Sequence, residues 1–334
     1  MNILLTGGLG FIGSHAAVVL AQQGHQVTIL DNLCNSQIDV LANLESIAGK
    51  KFRFYEADVR EGLALRKILS DNQVEAVMHF AGLKSVAESA QNPLKYYDNN
   101  VCGTINLIEA MQDEKINKLI FSSSATVYGV PQYLPYDEEH PLSPINTYGK
   151  TKLQVEEILQ DLVKSDPSWS VVALRYFNPV GAHESGLIGE SPSGIPNNLM
   201  PYVCQVASGK LSHLNIFGDD YDTKDGTGER DYIHVMDLAE GHAAALNLLN
   251  HQKGFEAINL GTGTSYSVLD LTRAFEEASD QKISIVIQAR RSGDLPIYYA
   301  KAEKAKALLD WSAKRGLEEM CESSWNFQKT LQKP

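Results

Sequence analysis

Two hydrophobic rhythms alternate through the first half of the chain. Short apolar runs of strand length recur at "NILLT" (2–6), "QVTIL" (26–30), "KFRFYEA" (51–57), "AVMHF" (76–80), "KLIFSS" (118–123) and "SVVALRYF" (170–177). Amphipathic stretches with helical spacing lie between them, at 11–23, 61–71, 93–112 and 148–164. Strands alternating with helices in this way predict a doubly wound parallel sheet. After about residue 178 the texture loosens, and Pro, Gly and Asn crowd "GIPNNLMP" (194–201) and "GDDYDTKDGTGERD" (218–231). Helical pieces persist there: Ser267 and Asp270 of "SVLD" fit a capping box ahead of "LTRAFEEAS". The expected fold is α/β, a Rossmann-type doubly wound parallel sheet in residues 1–178. A smaller α/β C-terminal substrate domain spans 179–334, with the chain free to cross between the two. A ligand cleft is expected beyond the carboxyl ends of the strands.

Bulk properties narrow the function. The 334 residues, 43% of them hydrophobic, are ample for a substantial core. No apolar run approaches the ~20 residues that span a bilayer. The N-terminal "MNILLTGG" carries no basic stretch and runs straight into a strand, so no signal peptide and no membrane partner are expected. Cys34, Cys102, Cys204 and Cys321 are widely spaced and form no CxxC pair, as in reduced thiols of a cytoplasmic protein. The net charge of −12 argues against a nucleic-acid binder and requires local donors for any anionic ligand. The nine histidines make no HExxH or paired Cys/His spacing, so no metal is expected; His79, His183 and His234 read as hydrogen-bonding residues.

The first chemical signal is "TGGLGFIGSH" (6–15), which follows one strand and opens one helix. Glycines at 7, 10 and 13 permit a tight turn and let backbone N–H groups approach a pyrophosphate. Asp31 ends the second strand, where a carboxylate accepts from a ribose 2′-OH and repels a 2′-phosphate, favouring NAD over NADP. Asp58, after the third strand, suits either the adenine edge or a helix cap.

The second signal is "TYGKTK" (147–152), with Tyr148 four residues before Lys152. Such a spacing is also an ordinary surface pair. A free tyrosine has a pKa of about 10, leaving only ~0.1% phenolate near neutrality. A cation ~5 Å away, at an effective dielectric near 20, favours phenolate by roughly 3 kcal/mol, on the order of two pKa units. The nicotinamide of NAD⁺ would add a second positive charge, and Lys152 could also bind the nicotinamide ribose. "FSSSATVYG" (121–129) ends the fifth strand, where Ser124 could reach the same substrate oxygen or simply cap the backbone.

With these glycines, Ser124, Tyr148 and Lys152 in order, the chain resembles the extended short-chain dehydrogenase/reductases, and among them the sugar-nucleotide 4-epimerases. The resemblance covers essentially the whole chain; "LRYFNPVGAH" and "GIPNNLMPYV" are its most specific segments. It implies that Ser124, Tyr148 and Lys152 are catalytic. It implies a NAD site at Gly7, Gly10, Phe11, Ile12, Gly13, Asp31, Asn32, Asn35, Ser36, Asp58, Val59, Phe80, Ala81, Gly82, Lys84, Asn99, Ser124, Tyr148, Lys152 and Phe177. It places the UDP-sugar against Lys84, Ser124, Tyr148, Asn178, Asn198, Leu199, Arg230, Arg291, Asp294 and Tyr298. Two arginines suit a diphosphate, because guanidinium offers planar multidentate donors. Tyr298 falls where this family controls access for N-acetylated sugars, or is a packed tyrosine. The implied reaction interconverts UDP-galactose and UDP-glucose, as in galactose metabolism, by transient oxidation at C4, rotation of a 4-keto sugar and hydride return. A homodimer through helices near 93–112 and 149–164 is implied by the same analogy.

Two rivals are weighed. A 4,6-dehydratase of this family carries an Asp and a Glu after the catalytic hydroxyl, where this chain has Ala125 and Thr126, which cannot do carboxylate chemistry. A non-catalytic NAD sensor on the same fold would have no use for Ser124, Tyr148 and Lys152 together.

Overall fold

The computed structural model describes residues 1–332 apart from 193, 195, 197 and 292. Ile195 and Asn197 of "GIPNNLMPYV" and Ser292 of "RSGDLP" therefore lie outside the described residues.

The first half builds β1 (Asn2–Thr6), α1 (Phe11–Gln22), β2 (Gln26–Asp31), α2 (Asp39–Ala48), β3 (Arg53–Glu56), α3 (Gly62–Asp71) and β4 (Ala76–His79). Then come α4 (Val86–Gln91), α5 (Pro93–Tyr96), α6 (Gly103–Asp113), β5 (Lys118–Ser122), α7 (Thr147–Ser165) and β6 (Ser170–Tyr176). The second half adds β7 (Asn178–Val180), α8 (Leu199–Ala207), β8 (Leu214–Phe217), β9 (Glu229–Arg230), β10 (Tyr232–His234), α9 (Val235–His251) and β11 (Gly254–Leu260). It ends with β12 (Tyr266–Ser267), α10 (Val268–Ser279), β13 (Ile285–Gln288), β14 (Ile297–Tyr298), α11 (Glu303–Leu309) and α12 (Leu317–Thr330).

Seven parallel strands make the main sheet, in the order β11-β6-β5-β4-β1-β2-β3. Alternate side chains feed opposite faces. Ile3 and Leu5 join a core with α1 and α9, whereas Leu4 joins a second core with α3, α6 and α7. Burial on both faces explains why β1 and β4 read as unbroken apolar runs. A third core joins α8, α10 and α12 behind β8 and β10. Two elements beyond residue 178 join the main sheet and its layers: α9 packs on α1, and β11 is the sheet's seventh strand.

Two local features shape the site. The stretch 93–112, expected as one helix, is broken: Tyr97–Cys102 forms a wide π-helical turn between α5 and α6. That turn buries Asn99 and Asn100 together, and Asn100 bonds both backbone groups of Leu83. The capping box at Ser267 and Asp270 is present, with each side chain bonded to the other residue's backbone N–H. Among the described residues, no helix is long and apolar enough to cross a membrane.

Candidate active site

At the carboxyl end of β1 the chain turns on Gly7, whose φ of +68° suits glycine. A Cβ there would stand 2.7 Å from the Ala81 nitrogen, and one on Gly13 would run into the Gly7 carbonyl oxygen. Gly10 precedes the first turn of α1 with no capping side chain, which leaves that helix N-terminus open to an anion. A cleft of about 520 Å³, counting its open mouth, lies beside this turn. Gly7, Gly10, Asp31, Asn32, Asn35, Ser36, Val59, Phe80, Ala81, Gly82 and Asn99 line it, joined by Leu30, Cys34 and Ala57. Phe11 and Ile12 sit half-buried on the first turn of α1, and Gly13 is buried beneath them.

Asp31 is held by three donors: the Leu9 N–H at 3.0 Å, the Leu33 N–H at 3.0 Å and the Ser36 hydroxyl at 2.7 Å. A carboxylate has about four acceptor sites, so one stays available toward the cleft. Asp58 is not a helix cap, since α3 starts after Glu61. It is clasped by Arg60 at 2.8 Å through two guanidinium nitrogens and by Asn32 at 2.8 Å. Arg60 above all holds its carboxyl well below the usual carboxylate range.

The catalytic candidates meet where β5 ends and α7 begins. Asn146 caps α7 by accepting from the Gly149 N–H at 2.8 Å, which puts Tyr148 in the first turn. Lys152 follows one turn later, its Nζ 5.9 Å from the Tyr148 ring centroid and 2.7 Å from the Ser122 carbonyl oxygen it bonds. A Cβ on Gly82 would stand 3.7 Å from that Nζ, so the cleft and the lysine adjoin. Ser124 does cap the short 3₁₀ turn Ala125–Val127, accepting from the Thr126 N–H at 3.2 Å, and its hydroxyl also acts on Tyr148.

The electrostatics depart from expectation in one respect. Lys152 was expected to lower the Tyr148 pKa. In the protein by itself, burial dominates and pushes Tyr148 well above the ordinary tyrosine value, with Ser124 opposing weakly. Burial also brings Lys152 down to about 8, while Glu156 pulls the other way. Burial keeps the phenol protonated at neutral pH even though Lys152 is still largely charged there. The site needs further positive charge before Tyr148 can act as a base.

The sugar-nucleotide candidates converge from the second half. Tyr298 on β14 is the cross-strand partner of Arg230 on β9, and Asn178 donates its N–H to the Asp231 carbonyl beside it. Arg230 spends one Nη on the Glu229 and Leu295 carbonyls, at 2.8 and 2.9 Å. Its remaining donors are unspent among the described residues. Arg291 pairs with Asp294 at 2.8 Å and lies over the Phe217 ring at 4.6 Å. Tyr298 packs on Phe177, ring centroids 4.9 Å apart, and on Tyr136 at 5.1 Å. Its hydroxyl is buried with no partner among the described residues. Asn198, just ahead of α8 and Leu199, donates to Glu190 at 2.6 Å, and Lys84 donates to the same oxygen at 2.7 Å. Nothing in the sequence marked Glu190, which ties Asn198 to Lys84, the latter 106 positions from Glu190 itself.

Known proteins decide what this arrangement belongs to. The UDP-glucose 4-epimerase of Bacillus subtilis is 55% identical over 330 residues, 99% of this chain and 97% of that protein. The chain belongs to the UDP-glucose 4-epimerase family. A UDP-glucose 4-epimerase from Stenotrophomonas maltophila, crystallised with NAD and a formylated UDP-arabinopyranose, superposes with a TM-score of 0.97 at 47% identity. The match covers 99% of this chain and 98% of that one. The epimerase from Bifidobacterium longum, in complex with NAD⁺ and UDP, gives 0.96 at 48% identity over 99% and 98% of the two chains. The GDP-mannose 4,6 dehydratase family model matches residues 4–324, so epimerases and dehydratases share nearly this whole framework. Ala125 is fully buried, and the Thr126 hydroxyl donates to Ser124 at 3.0 Å, so this epimerase-family site has no carboxyl group there.

Proposed function

We propose that the protein interconverts UDP-galactose and UDP-glucose as a NAD-dependent 4-epimerase with no net redox change. The observation that carries the reading is the meeting of Ser124, Tyr148 and Lys152 beside the glycine-turn cleft, opposite the Arg230 and Tyr298 strand pair.

The cleft fits NAD. Side chains are excluded at Gly7 and Gly13, the helix N-terminus at Gly10 is open, and Asp31 keeps an acceptor for a ribose hydroxyl. Of the cleft's lining residues, Asn32, Asn35 and Ser36 would flank the adenosine end, and Val59, Phe80, Ala81, Gly82 and Asn99 would continue toward the nicotinamide; Asp58, Lys84 and Phe177, which do not line the cleft, are assigned to NAD by the family resemblance alone. Bound NAD supplies a reversible acceptor for the hydride of sugar C4 and a positive charge beside Tyr148.

Tyr148, once ionised, takes the proton of the sugar 4-OH and later returns it. Ser124 orients that oxygen, and Lys152 steadies the phenolate. Arg230 and Arg291 grip the diphosphate while Asn178, Asn198, Leu199 and Asp294 frame the rest of UDP. The packed rings of Phe177 and Tyr298 offer the hexose an aromatic wall with few hydrogen bonds, so a 4-keto sugar can turn while its nucleotide stays fixed. The packed ring of Tyr298 also narrows the site against N-acetylated sugars.

By this reading, residues 1–178 with 235–260 serve the cofactor and the rest of the chain serves the UDP-sugar. Free thiols at Cys34, Cys102, Cys204 and Cys321 support a reducing compartment, the cytoplasm. Exposed Leu94 and Ile105, at 81% and 37%, support pairing of two copies through α5, α6 and α7. The test is incubation of purified protein with UDP-galactose and no added NAD. Formation of UDP-glucose is expected; no product even with added NAD⁺ would overturn the reading.

A further inference from the structure

Behind the catalytic corner lies a buried ion pair that the mechanism above does not use. Glu156, one turn past Lys152 on α7, has a fully buried side chain, and its partner Arg175 on β6 is 3% exposed. Arg175 grips it through Nη2 at 2.6 Å and through Nε at 3.0 and 3.2 Å, and gives Nη1 to the Tyr128 hydroxyl at 3.2 Å. Ser123 donates to the same carboxylate at 2.5 Å. Burying such a pair away from water is costly, and an apolar pair of equal volume often holds a fold as well or better. Its placement marks it out. Ser123 lies between Ser122, whose carbonyl receives the Lys152 ammonium, and Ser124, which faces Tyr148. One carboxylate therefore anchors the serine corner while standing one helical turn from the lysine.

We propose that Glu156 is a positioning residue for the Tyr148 base: it pins the Ser122–Ser124 corner through Ser123 and sets a buried carboxylate one helical turn from Lys152, with Arg175 moderating its charge. The proposal rests on the reading of Tyr148 as the base. The other groups about the corner cannot replace it. His79 on β4 is held neutral by burial, and Tyr96, Tyr148 and Tyr176 are held protonated by it. Glu88 is spent on Tyr96 and Lys95, and Glu138 accepts from the Asn259 N–H. Burial above all drags Lys152 down, and Glu156 raises it.

The two members of the pair act on Lys152 with opposite signs, which gives the test. Ionisation of Lys152 is followed in the NAD-loaded protein by carbon NMR of the lysine Cε, its signal assigned by its absence from K152M. A unit charge ~6 Å away at an effective dielectric near 20 is worth about two pH units. E156Q is expected to lower the Lys152 titration by at least about one unit, and R175M to raise it. With Lys152 at about 8 in the parent, a drop of about one to two units takes its charged fraction at about pH 7 from about nine-tenths to between about a half and a tenth, so E156Q should lose about two- to tenfold in kcat with KM little changed. Where E156Q strands the Arg175 charge and fails to fold, E156Q/R175M removes that charge and is expected to shift Lys152 down by less than E156Q alone, because the two losses oppose and that of Glu156 is the larger. A folded variant whose Lys152 titration stays within about 0.3 unit of the parent overturns the proposal, as do shifts of the same sign in E156Q and R175M. The titration needs no turnover, so a protein silent toward UDP-galactose would sink the proposed reaction and leave this test standing.

Discussion

Replacing Lys152 with Met separates charge from shape at the catalytic corner. Met keeps most of the side-chain volume and removes the ammonium. The Lys152 Nζ lies 5.9 Å from the Tyr148 ring centroid, so at an effective dielectric near 20 its charge favours phenolate by about 3 kcal/mol. That corresponds to roughly two pKa units. A positive neighbour lowers a phenol's pKa, so its removal raises it. Below that pKa the ionised fraction falls tenfold per pH unit, and the rising limb of the kcat profile should move up by about two units. At a fixed neutral pH, kcat should drop about a hundredfold and recover as the pH is raised. The assay is the initial rate of UDP-galactose conversion across pH, with bound NAD measured in the same samples so that cofactor loss is not mistaken for lost chemistry. A K152M protein that retains NAD but shows the same low rate at every pH would refute the electrostatic reasoning. Lys152 would then act by binding or placement alone.

Other consequences follow from single contacts. Burial brings His15, His79 and His234 down to about 3, so the unfolded chain takes up protons that the folded one does not. Stability should fall as pH drops below about 6.5, by up to ~1.4 kcal/mol per pH unit for each such histidine; urea midpoints that stay flat between pH 6.5 and 5 would contradict this. Arg230→Lys keeps the charge but loses the planar donors left free of backbone carbonyls, and UDP affinity by calorimetry should weaken by about 1.5–3 kcal/mol, or roughly 10- to 150-fold. Tyr298→Ser removes the ring packed on Phe177 and Tyr136, so turnover of UDP-N-acetylgalactosamine should rise relative to UDP-galactose. An unchanged ratio would leave Tyr298 as a packing residue.

What could be read from the sequence was what local chemistry decides. β1, β4 and β6 are buried on both faces and read as largely apolar runs. The glycine turn and the Ser267–Asp270 box carry their own stereochemistry. β11 was missed because "GFEAINL" is an edge strand whose first four residues are only half-buried, so its pattern is diluted by Glu256. The π-helical turn at Tyr97–Cys102 was missed because its period differs by a single residue per turn from an α-helix. Glu156 and Glu190 had no signature. Each is an ordinary acidic residue in sequence, and its importance comes from partners 19 and 106 positions away. The Tyr148 pKa was misjudged for a related reason: spacing reveals the neighbouring charge but not the depth of burial, which here outweighs it.

The account stands most directly on the fate of the hydrogen at sugar C4. UDP-galactose carrying deuterium at C4 would be converted to equilibrium in ordinary water and the product examined by mass and proton NMR. The account predicts UDP-glucose with the deuterium still at C4. Loss of the label to solvent would contradict it, because the hydrogen would then have left the closed site instead of returning to the carbon it came from.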